Sequence, residues 1–120
     1  YWGDVQRARW VAEAGLERMR AIEGYQFDGN ELTARAYLFA GMSNRRFGET
    51  YCEVVFSAPY ETDTGEAQPK SVAFSRAIPH FQAAITQGTS SGAADIVTAA
   101  HAGLADVYVG LGDWAQAMTH

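Results

Sequence analysis

The stretch Ala99-Ala-His-Ala-Gly-Leu-Ala-Asp-Val-Tyr-Val-Gly-Leu-Gly-Asp-Trp-Ala-Gln-Ala117 decides the fold. Within it Leu104, Ala105, Tyr108, Gly112, Trp114 and Ala117 run large apolar, small, aromatic, turn glycine, aromatic, small, which is the spacing of a tetratricopeptide repeat. Each type has a physical reason. The small residue lets two antiparallel helices approach, and the aromatic fills the space beside it. The glycine accepts the left-handed conformation that ends the first helix. Immediately upstream, Ala77, Phe81 and Ala84 give the small, aromatic, small signature of a second repeat helix.

Working outward, the apolar positions Val72, Phe74, Ala77, Ile78, Phe81, Ala84 and Ile85 predict a helix over 71–87 ending at Gly88. Pro79 lies inside it and removes an amide donor, so a kink or a late start is expected there. A polar turn at 89–92 leads into an alanine-rich helix over 93–111, and Gly112-Asp113 opens a last helix over 113–120. Sliding the sequence by 64 positions lays Ala36 on Ala100, Gly41 on Ala105, Asn44 on Tyr108 and Gly48 on Gly112. The segment 32–47, with Tyr37 and Gly41 inside it and Gly48 at its C′ position, therefore reads as the first helix of an earlier pair. Its partner, 71–87, is displaced by an insertion.

That insertion, 49–70, is longer than an ordinary connection and carries prolines and carboxylates, with Tyr51-Cys-Glu-Val-Val-Phe56 as a possible short extended piece. Before the pair, Trp2, Val5, Ala8, Ala12, Leu16, Met19 and Ile22 predict a helix over 3–22. The turn formers of 24–30 link it to the next. The reading is all-α: tetratricopeptide-like antiparallel hairpins in a single helical region over 1–120, with one long loop insertion. Tyr1 is no initiator methionine, and the last helix stops after about two turns. The chain is accordingly expected to be a fragment of a larger domain.

Composition narrows the functional classes. The 120 residues are 48% hydrophobic and 19% charged, which excludes disorder, collagen and coiled coil. No apolar run reaches the roughly 18–20 residues that span a bilayer. The net charge of −5 opposes a phosphate backbone, so no nucleic-acid partner is expected. One cysteine allows neither an internal disulfide nor a multi-thiolate metal site.

Taken in order, three segments resemble the SusD/RagB family of surface nutrient-uptake lipoproteins. Ala34-Arg-Ala-Tyr-Leu-Phe-Ala-Gly41 followed by Arg46-Phe-Gly-Glu49 is similar to that family's helix ending in an arginine, aromatic, glycine turn. Thr50-Tyr-Cys-Glu-Val-Val-Phe56 is similar to the approach to its long loop. Phe74-Ser-Arg-Ala-Ile-Pro-His-Phe-Gln-Ala-Ala-Ile85 and the stretch quoted first resemble the helices after that loop. The likeness covers 34–117. It departs from the family at Pro79, which interrupts a helix normally unbroken, and in lacking the N-terminal lipidated cysteine. What the resemblance implies is non-enzymatic capture of an oligosaccharide or peptide and its delivery to a TonB-dependent, SusC-like transporter at the outer-membrane cell surface. The membrane would be reached only through a lipid anchor outside this segment. The reading from another class is a tetratricopeptide-type interaction scaffold or structural subunit, and a third is an enzyme accessory domain.

Candidate chemistry is sparse. Cys52 has no histidine near it in sequence and reads as a semi-buried thiol. His80, His101 and His120 fall on separate helices without a ligand partner three or four residues away, and His101 reads as a packing residue, so no metal and no cofactor are expected. No serine sits in a nucleophile elbow and no glycine-rich loop cradles phosphate. Glu13 and Glu17, with Arg9, Arg18 and Arg20 nearby, read as solvated helix surface. Tyr25, Phe27 and Tyr60 lie in loops where a sugar-stacking platform would sit, but no motif assigns them, and no catalytic or ligand-binding residue is identified. The residues singled out are those expected to pack the repeat: Tyr37, Gly41, Gly48, Ala77, Phe81, Ala84, Leu104, Ala105, Tyr108, Gly112, Trp114 and Ala117.

Overall fold

The computed structural model describes residues 1–57 and 65–120, and over these the chain is all-α. Helices α1 (Trp2–Ala21), α2 (Glu31–Thr50), α3 (Lys70–Ser91), α4 (Ala94–Leu111) and the single turn α5 (Trp114–Ala117) follow one another. Between α2 and α3, β1 (Glu53–Val54) and β2 (Gln68–Pro69) pair antiparallel. With the Lys70 N–H donating to the Cys52 carbonyl at 3.0 Å, they close the base of the insertion.

The core is built on α3, whose buried positions Phe74, Ala77, Phe81, Ala84 and Gly88 recur at steps of three and four and so form one stripe. Phe81 is wholly buried and its ring lies between two glycines. A Cβ on Gly41 of α2 would stand 2.7 Å from the ring, and one on Gly103 of α4 closer still. Phe74 repeats the arrangement seven residues earlier, between Gly48 of α2 (2.8 Å) and Gly110 of α4 (2.5 Å). The pairings run in opposite directions along the chain, so α3 is antiparallel to both neighbours. It lies in the cleft they form, with Ala34, Leu38, Ile96, Ala100, Leu104 and Val107 completing the apolar cluster.

This geometry corrects several expectations from sequence. Gly48 does not end α2, which continues to Thr50 with an extended cap at Tyr51. The glycine is needed for the approach of Phe74, not for a turn. Gly88 likewise lies inside α3, where a Cβ would meet Val97 at 2.9 Å. The left-handed cap is Gly92, with φ of 74°. The 64-residue correspondence is replaced by one of 62 residues, which brings Gly41 onto Gly103, Gly48 onto Gly110, Ala34 onto Ile96 and Leu38 onto Ala100. The small residue at the close approach is thus Gly103, and Ala105 is only half-buried.

Trp114 is 64% exposed and fills no inter-helix space, because α5 is one turn and spans only Trp114–Ala117 instead of 113–120; Ala117 is half-buried. Tyr108 packs at the edge of the core and stacks on the His120 ring at 5.7 Å. Pro79 neither delays nor divides α3. Pro79 and Ser75, whose carbonyl loses its amide partner, both lie on the exposed side, so the carbonyl is open to solvent and the missing bond leaves no buried orphan. Cys52 is exposed rather than semi-buried; it precedes β1, and the residue of this stretch that enters the core is Val54. Gly112 caps α4 at φ 75° and the Asp113 carboxylate accepts from the Gln116 N–H at 3.1 Å, as expected of that turn.

Helix α1 packs antiparallel to α2 through a different kind of surface. At one end Trp2 meets Phe47 and Tyr51 edge-on at 5.0 and 4.8 Å, over a small cluster of Val5, Phe47, Val54 and Ala73. Along its middle the inward positions are Gln6, Arg9 and Glu13, while Ala8 and Ile22 of the expected apolar stripe are exposed.

Candidate functional site

Arg9 is 5% exposed, a burial that its charge permits only because every face of the guanidinium is occupied. It donates to Gln6 Oε1 from Nε and Nη2, to the Ser57 carbonyl, and to Glu13 Oε2 at 2.7 Å, and it lies over the Phe56 ring. Gln6 in turn donates to the Val55 carbonyl and to Ser57 Oγ. Two side chains of α1 thereby fasten Val55 and Ser57 of the insertion, mainly by their carbonyls.

Glu13 is the hub of this network. Its Oε1 accepts from Asn44 Nδ2 of α2 at 2.9 Å and from Arg76 Nη2 of α3 at 3.1 Å, and it faces His80 Nε2 at 3.3 Å. Its Oε2 takes Arg9 and the same Arg76 nitrogen at 3.2 Å. Burial pushes the Glu13 carboxyl up. Hydrogen bonds from His80 and Asn44 and the charges of Arg76 and Arg9 outweigh that, leaving its pKa lowered from 4.5 to about 2. Arg76 also donates to Asn44 Oδ1 and stacks on Phe56, its guanidinium carbon 4.1 Å from the ring centroid.

In front of the hub lies a groove of about 460 Å³, bounded by Glu13, Leu16, Glu17 and Arg20 of α1, Tyr37 of α2, and Arg76, Pro79 and His80 of α3. Its size falls in the range of small-molecule sites. On one wall the Arg20 guanidinium rests over the Phe27 ring at 4.3 Å and donates to Tyr37 Oη at 3.2 Å, while Phe27 meets Tyr37 edge-on. The linker that carries Phe27 is itself fixed, with Tyr25 Oη 2.9 Å from Thr33 Oγ1 and the Gly29 N–H donating to Gln87 Oε1 at 2.6 Å.

The structure revises the sequence reading of α1. Arg9 and Glu13 are not solvated surface, because their partners come from α2, α3 and the insertion; Glu17 and Arg18 are exposed as expected. His80 has a carboxylate partner after all, 67 residues away in the chain. His101, half-buried, does not pack alone: its Nδ1 lies 2.9 Å from Nδ1 of His120. Of the loop aromatics, Tyr25 and Phe27 are half-buried against helix residues, and Tyr60 lies outside the described residues. Of the repeat-packing residues named from sequence, only Tyr37 reaches the groove. The others pack the helix stack or cap it, except Trp114, which is exposed, and Ala105 and Ala117, which are only half-buried.

Among the described residues no group of three or more His, Cys, Asp or Glu side chains is placed to hold a metal ion, and no helix is long and apolar enough to cross a membrane. The molecule is an all-α stack of antiparallel helices with a charged groove between its first three. No family model, no curated protein and no solved structure matches the chain.

Proposed function

We propose that this chain is a non-enzymatic binding element that captures an oligosaccharide or peptide at the outer-membrane cell surface and passes it to a TonB-dependent transporter. The observation that carries the binding part of this reading is the state of Glu13. A carboxylate held near pKa 2 and engaged on both oxygens is a poor proton acceptor at neutral pH, so the most extensively bonded charged group of the groove is suited to fixing geometry, not to transferring protons. Around it Arg20, Arg76 and Tyr37 are oriented by ring stacking and hydrogen bonds, as a site that must hold a polar ligand without rearranging requires. Surface location and the transporter partner come from the resemblance to SusD/RagB proteins, supported by a long insertion after the first helix of the first hairpin.

The test is a glycan array and peptide library with the full-length protein, paired with co-purification from outer membranes. The expected result is saturable, reversible binding without product formation, and a TonB-dependent transporter in the co-purified fraction. Turnover of a bound ligand would overturn the non-enzymatic reading. A stable complex with a soluble protein and no small ligand would favour the scaffold instead. One observation favours that second reading: Phe39 (54% exposed) and Met42 (40%) of α2 border, with Ala8 of α1, an apolar groove of about 410 Å³ flanked by Arg45 and Arg46.

A further inference from the structure

We propose that the α1–α2–α3 groove recognises a carboxylate group on its ligand, with Arg20 and Tyr37 as the principal contacts; this rests on the capture reading above and specifies its ligand class. The argument is one of donors and acceptors. A carboxylate offers about four lone-pair positions, and Glu13 has them filled by Arg9, Asn44, Arg76 and His80. Its charge is also met from behind by buried Arg9. Glu13 therefore has nothing left to offer a ligand.

The donors facing the groove are in surplus. Arg20 uses one N–H on Tyr37, and among the described residues its other N–H groups have no partner. Tyr37 accepts that bond through oxygen and keeps its own O–H to donate. Arg76 spends Nε and Nη2 on Asn44 and Glu13, which leaves Nη1. Both guanidiniums lie against phenylalanine rings, Arg20 on Phe27 and Arg76 on Phe56, which orients their planes; Arg20 keeps an open N–H edge, and Arg76 adds Nη1 alone. Planar, oriented N–H edges suit the two oxygens of a carboxylate.

Glu17, exposed at the rim and one turn from Arg20, opposes a multiply charged anion such as phosphate. It offers an acceptor to a hydroxyl or ammonium on the same ligand. Two sources carry this chemistry, the uronic acid of an acidic glycan and the free C-terminus of a peptide.

The experiment is a chemical-shift titration of the protein with four probes: glucuronate, glucose, Ala-Ala with a free C-terminus, and Ala-Ala amide. The expected result is that the carboxylate member of at least one pair binds about tenfold or more tightly than its neutral counterpart. That preference should be lost in Arg20→Gln and reduced in Tyr37→Phe, with thermal midpoints unchanged for the exposed Arg20. Glucuronate alone identifies an acidic glycan, Ala-Ala alone a peptide terminus, and both together support carboxylate recognition. Equal binding of charged and neutral members overturns the carboxylate proposal and leaves the capture reading standing. No binding by any probe overturns the groove as a carboxylate site, and the array with full-length protein then decides capture separately. Should Arg20→Gln fail to fold, Tyr37→Phe, which keeps the ring, reads the same preference.

Discussion

The two faces of α2 are held in opposite ways. Toward α3 the contact is dry, made of bare glycine backbone and phenylalanine rings, with Phe81 wholly buried between Gly41 and Gly103. Toward α1 the middle of the contact is ionic, with Arg9, Glu13, Asn44, Arg76 and His80 bonded to one another. The first interface depends on shape, so it responds to the addition or removal of a few carbons. The second depends on charge, so it responds to protons. The α2–α3–α4 stack is consequently the rigid part of the fold, and α1 is the part whose attachment solution conditions can adjust.

The strongest challenge to this contrast is Phe81→Ala, which empties the space between two glycines that have no side chains to refill it. A loss of about 3–5 kcal/mol is expected in urea unfolding. A smaller loss would mean that α2 and α4 close on the gap. Gly103→Ala probes the same contact from the other side. Alanine favours a helix interior by about 1 kcal/mol over glycine, yet its methyl would be forced into the Phe81 ring, and a net destabilisation of about 1–3 kcal/mol should appear. A stabilised variant would show that the ring is free to move.

The ionic face is tested by acid. Glu13 has a lower pKa folded than unfolded, so its contribution is fully present above about pH 4.5 and is lost as pH falls toward about 2. After allowance for solvent screening this amounts to about 2 kcal/mol. Unfolding midpoints of the wild type should fall through that window, whereas Glu13→Gln should start lower and show a flatter decline. Parallel curves would remove Glu13 as the hub. The smallest effect has the opposite sign. Gly15 of α1 faces open space where a Cβ would go, so Gly15→Ala should raise stability by about 0.5–1 kcal/mol, a gain readable as a small rise in melting temperature.

Sequence periodicity located the helix stack because its determinants are local. Phe74, Ala77, Phe81 and Ala84 lie on one face of one helix, and Gly112 and Asp113 mark a turn by their own conformational preferences. The repeat offset was displaced by two residues because alanine and glycine both count as small in a pattern, while only glycine permits contact of a ring with backbone. That distinction between Ala105 and Gly103 exists only once α3 is in place. The groove left almost no trace in sequence. Glu13 meets Arg76 and His80 across 63 and 67 residues, and an arginine between apolar positions of an amphipathic helix looks like surface until its partners on other elements are known. The one usable signal was Arg9 itself, spaced four and seven residues from Val5 and Leu16, which places a charge on the inward face.

Because Phe74 and Phe81 are each gripped from both sides by main chain, α3 has no freedom to slide or roll without displacing α2 and α4 together. The seam between α1 and that block lacks this keying of rings into backbone and is held in its middle by ion pairs and hydrogen bonds instead. The groove straddles this seam, with Arg20 on one bank and Arg76 and His80 on the other. A ligand bridging the banks would act as a latch, converting occupancy into a change in how firmly the first helix is shut against the rest.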